Sequence, residues 1–522
     1  MRKLITGVCV GLVVLGSSCK KELDINTNTN QSTTATPELI LPQALVYTAS
    51  SLNAYNSYGS EIVGYAANAG GYGGFGELIT YDYTTSFTGL WATTYDNLED
   101  YQAILNQSDG IVAYNYYNAV ARIMKAYNFQ LLVDAFNDVP YDDALKGAAK
   151  LTPAYTDGKT VYKNIADELD KAIATINQTS TGVTLLGSHD VLFQGNMTKW
   201  KQFANTIKLR VILQASGKVS FSNTTFTSDG FLTTDALINP GFTRDNGKQN
   251  PAWNTWAYDY TGAAGNKAWM PNTFVFGFYD GHTLVDSGRG KAIYYQWPTT
   301  GTNRLGNENY NVVASPTGSF WYSGTNRDGT SNGKHEGILK GPDAGYPAML
   351  AAESYFLQAE GVVRGTITGN DADLFYKGIQ ASFNYIYQLP DGSISKDVFN
   401  SADERMAYLD STYLADNASS RLVNYSKAAT TDQKIEAIIT QKYIALNYIQ
   451  SHVPWNDYRR THYPAITPNG NAYQTFASTV SESTRPDKLP TRILYPTSET
   501  AYNSANVPKN ISPFTSLIFW AQ

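Results

Sequence analysis

Residues 111–136 read IVAYNYYNAVARIMKAYNFQLLVDAF, and this stretch indicates the fold class of the chain. Apolar side chains recur in it every three or four residues, which is the period of an α-helix with one buried face. The repeating positions are Tyr116, Val120, Ile123, Tyr127 and Leu131. The pattern stops at Asn137 and Asp138, just before Pro140, whose ring does not allow a helix to continue. The sequence therefore predicts one long buried helix over 111–136.

The same period predicts further helices on both sides of this one. They cover residues 90–105, 160–176, 198–215, 349–363, 371–387 and 431–449, with Thr198 as the N-cap of the third. These helices form two blocks, at about 90–217 and 348–450, and within each block they come in pairs. Paired amphipathic helices with small residues between them are typical of tetratricopeptide-type scaffolds, although a generic helical bundle explains the same period.

Between the two blocks, residues 218–347 are rich in Gly, Asn, Thr, Tyr and Trp and show little periodicity. A long irregular insertion on a rigid scaffold is where binding residues collect. We therefore expect an all-α, mainly helical fold: a tetratricopeptide-like helix-pair scaffold with a loop-rich insertion that carries the binding surface. It is expected to form one domain over 37–522, closed by a C-terminal segment at 451–522.

The start of the chain predicts export and lipid attachment. Arg2 and Lys3 precede an apolar stretch at 4–15 that is too short to span a bilayer, and small residues at 16–18 lead to Cys19. Residues 1–18 are therefore expected to be a lipoprotein signal peptide, with Cys19 carrying the lipid. Residues 19–36 are charged and then rich in Asn and Thr, which predicts a flexible tether. The alternative is an ordinary signal peptide, cut near residue 18, with Cys19 incidental.

Composition excludes several classes of protein. The chain has two cysteines, one of which leaves with the signal peptide while the other carries the lipid, so neither a disulfide framework nor a cysteine metal site is expected. The formal net charge is −6, and it becomes −8 when the two positive charges of Arg2 and Lys3 are removed. An acidic chain of this kind is not expected to bind nucleic acid.

Motifs for catalysis are weak. The five histidines include no i, i+4 pair of the kind that binds a catalytic zinc ion, and the folded part has no thiol nucleophile. Gly71, Gly73 and Gly76 have the spacing of a dinucleotide fingerprint, but the strand and helix that this site needs are not indicated around them. Asp142 and Asp143 are an ordinary acidic pair. We expect no catalytic residue, metal or cofactor.

Seven motifs, spread over nearly the whole chain, resemble one family. They are Trp91 with Tyr95, Asn97 and Leu98; NDVPY at 137–141; WKQFAN at 200–205 with Leu209 and Arg210; AE at 352–353 and at 359–360; QKYIAL at 441–446; WNDYRR at 455–460; and LPTRILYP at 489–496. In this order, behind a lipoprotein start, the chain resembles the SusD/RagB-type nutrient-binding lipoproteins of the Bacteroidetes, in their SusD-like branch.

This resemblance implies a function. The protein would be a non-catalytic binding lipoprotein on the outer face of the cell outer membrane, held there by its lipid. It would capture an oligosaccharide and deliver it to a SusC-like TonB-dependent barrel. The alternatives are an oligopeptide-binding uptake component of the RagB kind and a surface adhesin.

Most of the matched residues are interpreted as structural. Asp457, Arg459 and Arg460 stand beside Trp455 and Tyr458, which predicts charges paired within an aromatic cluster, because an unpaired buried charge costs several kcal/mol. In the last motif, Arg492 is expected to fasten the C-terminal segment to the helices.

The ligand is expected to meet aromatic rings. The chain has 38 Tyr, 21 Phe and 9 Trp, so many rings should reach the surface, where a flat apolar face can stack on a sugar ring. Three loop clusters supply the candidates: Tyr72, Phe75, Tyr81 and Tyr83 in the glycine loop; Trp253, Trp256, Tyr258, Tyr260 and Trp269 in the insertion; and Phe320, Trp321 and Tyr322 further along. We expect at least one exposed ring in each cluster.

Overall fold

The long helix predicted over 111–136 is present in the computed structural model as α4, Asn115–Phe136, and a short 3₁₀ turn at Val112–Tyr114 leads into it. The structure describes residues 35–179, 181–309, 316–322, 336–396 and 398–522. The predicted signal peptide, the lipid site at Cys19 and nearly all of the tether lie outside the described residues.

The first helical block begins at residue 37 in the structure rather than near residue 90, and it contains six helices in the described ranges. They are α1 Pro37–Ile62, α2 Glu77–Thr80, α3 Gly89–Ser108, α4, α5 Gly158–Gln178 and α6 Met197–Ala215. The cap of α6 is Asn196, whose side chain accepts a hydrogen bond from the backbone N–H of Lys199, so the prediction of Thr198 as N-cap was wrong. An Asn at this position satisfies an N–H that the helix itself leaves unpaired.

The second block follows the insertion, and in the structure its helices continue past residue 450 into the C-terminal segment. Its helices are α10 Ala351–Val363, α11 Asp371–Tyr387, α12 Ala402–Asp416, α13 Thr431–Ala445, α14 His452–Thr461 and α15 Thr497–Tyr502. Helix α13 ends four residues earlier than predicted. The chain turns there, and Tyr448 takes a left-handed backbone conformation, with φ of 58°, which a continuous right-handed helix does not contain.

Short helices and strands structure the insertion. Helices α7 Pro251–Trp256, α8 Thr273–Phe276 and α9 Ser287–Ile293 lie in it. All strands of the described residues are two to four residues long and pair antiparallel: β1 Ala66–Asn68 with β5 Trp269–Pro271, β2 Val139–Pro140 with β3 Tyr155–Thr156, and β4 Ala236–Ile238 with β6 Tyr346–Met349. The expectation of a mainly helical fold is confirmed, with these few strands added to it.

Neighbouring helices pack on one another in chain order. Helix α1 contacts α3, α3 contacts α4, α4 contacts α5 and α5 contacts α6. The two blocks meet where α6 packs against α10 and where α1 packs against α14. One continuous cluster of buried apolar side chains extends from Leu41 to Ala521 and supports every element that carries a candidate ring.

The charged motif at 455–460 is buried, as predicted. Arg460 donates to both carboxylate oxygens of Glu360, at 2.5 and 2.9 Å, and to Asp457 at 3.0 Å. Asp457 also pairs with Lys442 at 2.7 Å. The guanidinium of Arg459 lies 5.1 Å from the ring centre of Trp455. Paired in this way, the charges do not carry the full cost of burial.

Arg492 holds the C-terminal segment against α4. Its guanidinium donates to the carbonyl of Phe136, the last residue of that helix, and lies 4.9 Å from the ring centre of Tyr495. Carbonyl groups at a helix C-terminus have no partner within the helix, so a cation there satisfies one of them. The prediction that Arg492 fastens this segment to the helices is confirmed.

Candidate ligand-binding site

A pair of short strands brings the first two candidate clusters together. In the ladder of β1 with β5, Asn68 stands opposite Trp269, and the backbone N–H of Ala69 donates to the carbonyl of Ala268 at 2.7 Å. The glycine loop, whose glycine-rich part is 69–76, leaves one end of this ladder, and the insertion loop at 257–268 enters it. Phe75 then packs edge-on against Trp269, with ring centres 5.3 Å apart.

Two of the twelve candidate rings are exposed. Tyr72, in the glycine loop, has 43% of its surface accessible, and Tyr260, in the insertion loop, has 44%. The other ten are buried and together form what we call the aromatic layer: Phe75, Tyr81, Tyr83, Trp253, Trp256, Tyr258, Trp269, Phe320, Trp321 and Tyr322. The two exposed rings therefore stand on loops whose other candidate rings are packed inside.

The third cluster has no exposed ring among its members, so the expectation of one in every cluster was wrong there. Trp321 stacks on Tyr448 with ring centres 3.9 Å apart, and the edge of Trp256 lies 6.1 Å away. Such large rings stabilise the protein most when their apolar faces leave water. Tyr448 comes from the turn after α13, far along the chain, and nothing local in the sequence indicates this partner.

Contacts within the aromatic layer connect the third cluster to the insertion loop. Trp253 packs edge-on against Tyr322 at 5.1 Å and also contacts Tyr258 at 5.9 Å. Gly318 lies so close to the ring of Tyr258 that a Cβ there would be 2.5 Å from it, so only glycine fits. The structure thus joins the insertion loop to both other clusters.

Glu77 fixes the end of the glycine loop. Its carboxylate accepts hydrogen bonds from the hydroxyl of Thr84, the backbone N–H of Thr85, and both the N–H and the hydroxyl of Ser86. Desolvation acts to raise the pKa of Glu77, but these hydrogen bonds outweigh it and lower the pKa to about 2. The carboxylate therefore stays charged over the whole physiological range of pH and holds the loop in place.

Polar groups that the sequence did not indicate lie around Tyr260. The side chain of Arg244 donates to the carbonyl of Tyr260 at 3.3 Å. Asp259 accepts hydrogen bonds from Thr261 and Ala263, which shapes the tip of the loop into a tight turn. Arg244 lies outside the three clusters, and no spacing in the sequence connects it with them.

The glycine spacing at 71–76 does not belong to a dinucleotide site. A strand does precede it and a helix does follow, which the sequence did not indicate, but β1 is three residues long and pairs antiparallel with β5, and α2 is a single turn. A dinucleotide site needs a parallel sheet with a full helix behind the glycines. Within the described ranges, no group of three or more His, Cys, Asp or Glu side chains is placed to hold a metal ion.

Family models match both helical blocks. A SusD-like model, described as starch-binding and associating with the outer membrane, matches residues 29–239. A second, described as the SusD and RagB outer-membrane lipoprotein, matches residues 339–516. The chain belongs to the SusD/RagB family. It is accordingly a nutrient-binding outer-membrane lipoprotein of a family that binds without catalysing a reaction.

Solved structures of SusD/RagB relatives share the fold. A SusD homologue from Bacteroides fragilis is 22% identical, covers 94% of this chain and all of its own, and superposes with a TM-score of 0.64. A homologue from Bacteroides uniformis is 21% identical, over 92% of this chain and 99% of its own, with the same TM-score of 0.64. A chitin-binding SusD homologue from Flavobacterium johnsoniae is 21% identical over 92% and 97%, again with a TM-score of 0.64.

No curated protein sequence matches this SusD/RagB chain. In the part of it that the structure describes, no helix combines the length and the apolar character needed to cross a bilayer.

Proposed function

We propose that this SusD/RagB protein captures an oligosaccharide at Tyr72 and Tyr260 and delivers it to a SusC-like TonB-dependent barrel. The observation that carries the proposal is the pair of exposed rings, 43% and 44% accessible, on two loops that leave one strand ladder and rest on the aromatic layer. A ring that is exposed on a fixed base is available to a ligand without reordering of the loop.

The chemistry around these rings favours a sugar. A tyrosine face stacks on the C–H face of a sugar ring, and its hydroxyl group bonds to sugar hydroxyls. Arg244 and Asp259 supply a donor and an acceptor beside Tyr260. One family model is described as starch-binding and two similar structures are of chitin-binding proteins, and both of these ligands are neutral polysaccharides.

The proposed anchor explains how capture leads to delivery. Lipid on Cys19 and a tether over 19–36 would hold the domain, whose first helix begins at Pro37, beside a barrel in the same membrane. Tethering converts encounter with the barrel into an intramolecular event and raises the effective concentration of bound ligand at its mouth. Labelled palmitate should enter the wild-type protein and be absent from Cys19→Ala; equal labelling of both would disprove the anchor.

Binding measurements on single-ring variants test the site. Calorimetry with maltoheptaose, chitohexaose and a peptide library should give saturable binding to an oligosaccharide that Tyr72→Ala and Tyr260→Ala each weaken by about 1–3 kcal/mol. Tyr502→Ala is the matched control, because Tyr502 is 82% exposed on α15 and belongs to no candidate cluster.

The same measurements distinguish the alternatives. Stacking and hydroxyl hydrogen bonds are weakly screened, so binding should survive a rise in salt, whereas capture of a charged ligand would weaken. Saturable binding to peptides alone would replace the sugar by a peptide. Absence of binding to any soluble oligomer would favour an adhesin.

A further inference from the structure

A cavity lies apart from the aromatic layer. It has a volume of 430 Å³ and is enclosed by α9, the end of α11, the loop before α12, and α12 itself. None of the twelve candidate rings lines it. Pockets that hold small ligands measure about 300–1,000 Å³, so the cavity is large enough for a ligand to enter. We propose that it is a second carbohydrate site, which holds a sugar ring independently of the loops around Tyr72 and Tyr260. The assignment of a carbohydrate to this cavity rests on the proposed function.

The walls of this cavity are held in place by hydrogen bonds. Asn417, at the end of α12, bonds to Val285 twice: it accepts from the N–H at 2.9 Å and donates to the carbonyl at 2.8 Å. On the other side, the hydroxyl of Tyr387 donates to the carbonyl of Gly288 at 2.5 Å. These bonds connect α12 and α11 to the start of α9. A cavity with walls fixed in advance binds its ligand without the entropic cost of forming the site.

One side of the cavity offers aromatic faces. Tyr408 is 55% exposed, and Phe399 lies beside it with ring centres 5.3 Å apart. Below them, the guanidinium of Arg405 is 4.3 Å from the ring centre of Tyr387. A large aromatic ring that is half open to solvent, at the mouth of a formed cavity, offers the flat apolar surface on which a sugar ring stacks.

The remaining rim of the cavity offers polar side chains that are available to a ligand. Ser287, Lys291, Thr412 and Asp416 line the cavity, and none of these side chains makes a hydrogen bond or an ion pair to another described residue. They include donors and acceptors, and one charge of each sign. A neutral ligand with many hydroxyl groups can satisfy both kinds of group, because each hydroxyl donates and accepts.

The same surroundings disfavour an extended peptide. Peptides bound along a surface commonly add a strand to the edge of a sheet. The lining residues of this cavity come from helices and the loops between them, and none belongs to a named strand. A peptide would therefore find no strand edge to pair with here, whereas a sugar needs only the ring and the polar rim.

Calorimetric stoichiometry tests the proposal. Maltoheptaose and chitohexaose are each titrated into the wild-type protein. Whichever sugar binds should occupy two sites per chain. Tyr408→Ala should weaken one site about tenfold or more, leaving one strong site per chain, because loss of a stacking anchor has effects of this size. Thr412→Ala should weaken the same site, and Tyr502→Ala should leave both. Circular dichroism should show that the fold of each variant is unchanged.

The outcomes separate this site from the first one. If Tyr72→Ala removes one site and Tyr408→Ala changes nothing, the second site is disproved and the proposed function stands. If Tyr408→Ala weakens binding and Tyr72→Ala does not, the second site stands and the proposed capture site falls. Weaker peptide binding in Tyr408→Ala, with no sugar bound there, would overturn the assignment to carbohydrate. No binding of either sugar to the wild type would overturn both proposals.

Discussion

At the scale of single residues, the buried ion pairs around α14 show how this fold tolerates charge in its interior. Glu360 is fully buried, and both of its oxygens accept from Arg460, while Arg364 donates to one of them at 2.6 Å. In such a group each charge is stabilised only while its partner remains, so removing one partner costs far more than the pair contributes.

The first prediction concerns Arg460. Arg460→Ala leaves the buried carboxylates of Glu360 and Asp457 short of a partner, and we expect a loss of about 3–5 kcal/mol in the free energy of unfolding. Urea unfolding followed by circular dichroism measures it. The control is Lys377→Ala, since Lys377 and its partner Asp373 are both half exposed; there we expect less than about 1 kcal/mol. Equal losses in the two variants would contradict the argument.

The second prediction is the dependence of stability on pH. Desolvation raises the pKa of Glu360, but Arg460 outweighs it and lowers the pKa from 4.5 to about 2. Because the folded protein holds this proton less tightly than the unfolded chain, the contribution of Glu360 is complete above about pH 5 and is lost as the pH falls toward 2. Glu360→Gln should be less stable at pH 7, and its stability should fall less steeply between pH 5 and 2. Parallel curves for both proteins would contradict this assignment.

At the scale of elements, the sequence predicted some helices well and missed others for a physical reason. The bounds predicted for α11 agree with the structure, since its apolar face is clear and Asn370 caps it. Helix α1 was missed because its buried face carries polar side chains: Thr48 donates to Asn97 at 2.7 Å, and Asn56 donates to the carbonyl of Tyr448 at 3.0 Å. Periodicity treats such residues as exposed. Helices α12 and α14 were missed as well.

The candidate site shows the same limit. The loops were predictable from their composition, and the structure does bring them together. Which ring is exposed depends on partners distant in sequence, such as Tyr448 for Trp321, and composition carries no information on them.

The third prediction follows from this burial. The sequence presented Trp321 as a ligand contact, but it is 1% exposed and stacked on Tyr448. We expect Trp321→Ala to lower the free energy of unfolding by about 3–5 kcal/mol, as is usual for a deleted core tryptophan. Tyr72→Ala, at an exposed ring, should change it by no more than about 0.5 kcal/mol. Thermal unfolding compares the two; an unchanged midpoint for Trp321→Ala would show that this ring is not part of the core.

At the scale of the whole molecule, residues far apart in the chain close the structure. The C-terminal segment returns to α4, where Arg492 bonds to Phe136 and the indole N–H of Trp520 donates to Asp134 at 3.1 Å. The charged and aromatic motifs that predicted the family lie at such junctions. They identify the fold because they hold it together, and for the same reason they carry no information on the ligand.

The fourth prediction concerns the partner. If the domain delivers ligand to a SusC-like barrel, the protein should copurify with a large outer-membrane barrel in mild detergent. Arg460→Ala should reduce the amount of barrel that copurifies only in proportion to the loss of folded protein. Tyr72→Ala should not reduce that amount. Repeated recovery of the protein alone, from cells that express the barrel, would contradict the partnership.

The ladder of β1 with β5 has a consequence for the length of the ligand. Tyr72 and Tyr260 stand on loops fastened to the same strands, so the span between their rings is set by the protein. If these two rings form the proposed capture site, a short oligomer would reach one ring, and a longer one would reach both and gain the second contact at little further entropic cost. Affinity should therefore rise in a step at one degree of polymerisation and then level off. The protein would sort its ligands by length, and a series of oligomers of increasing size would measure the span.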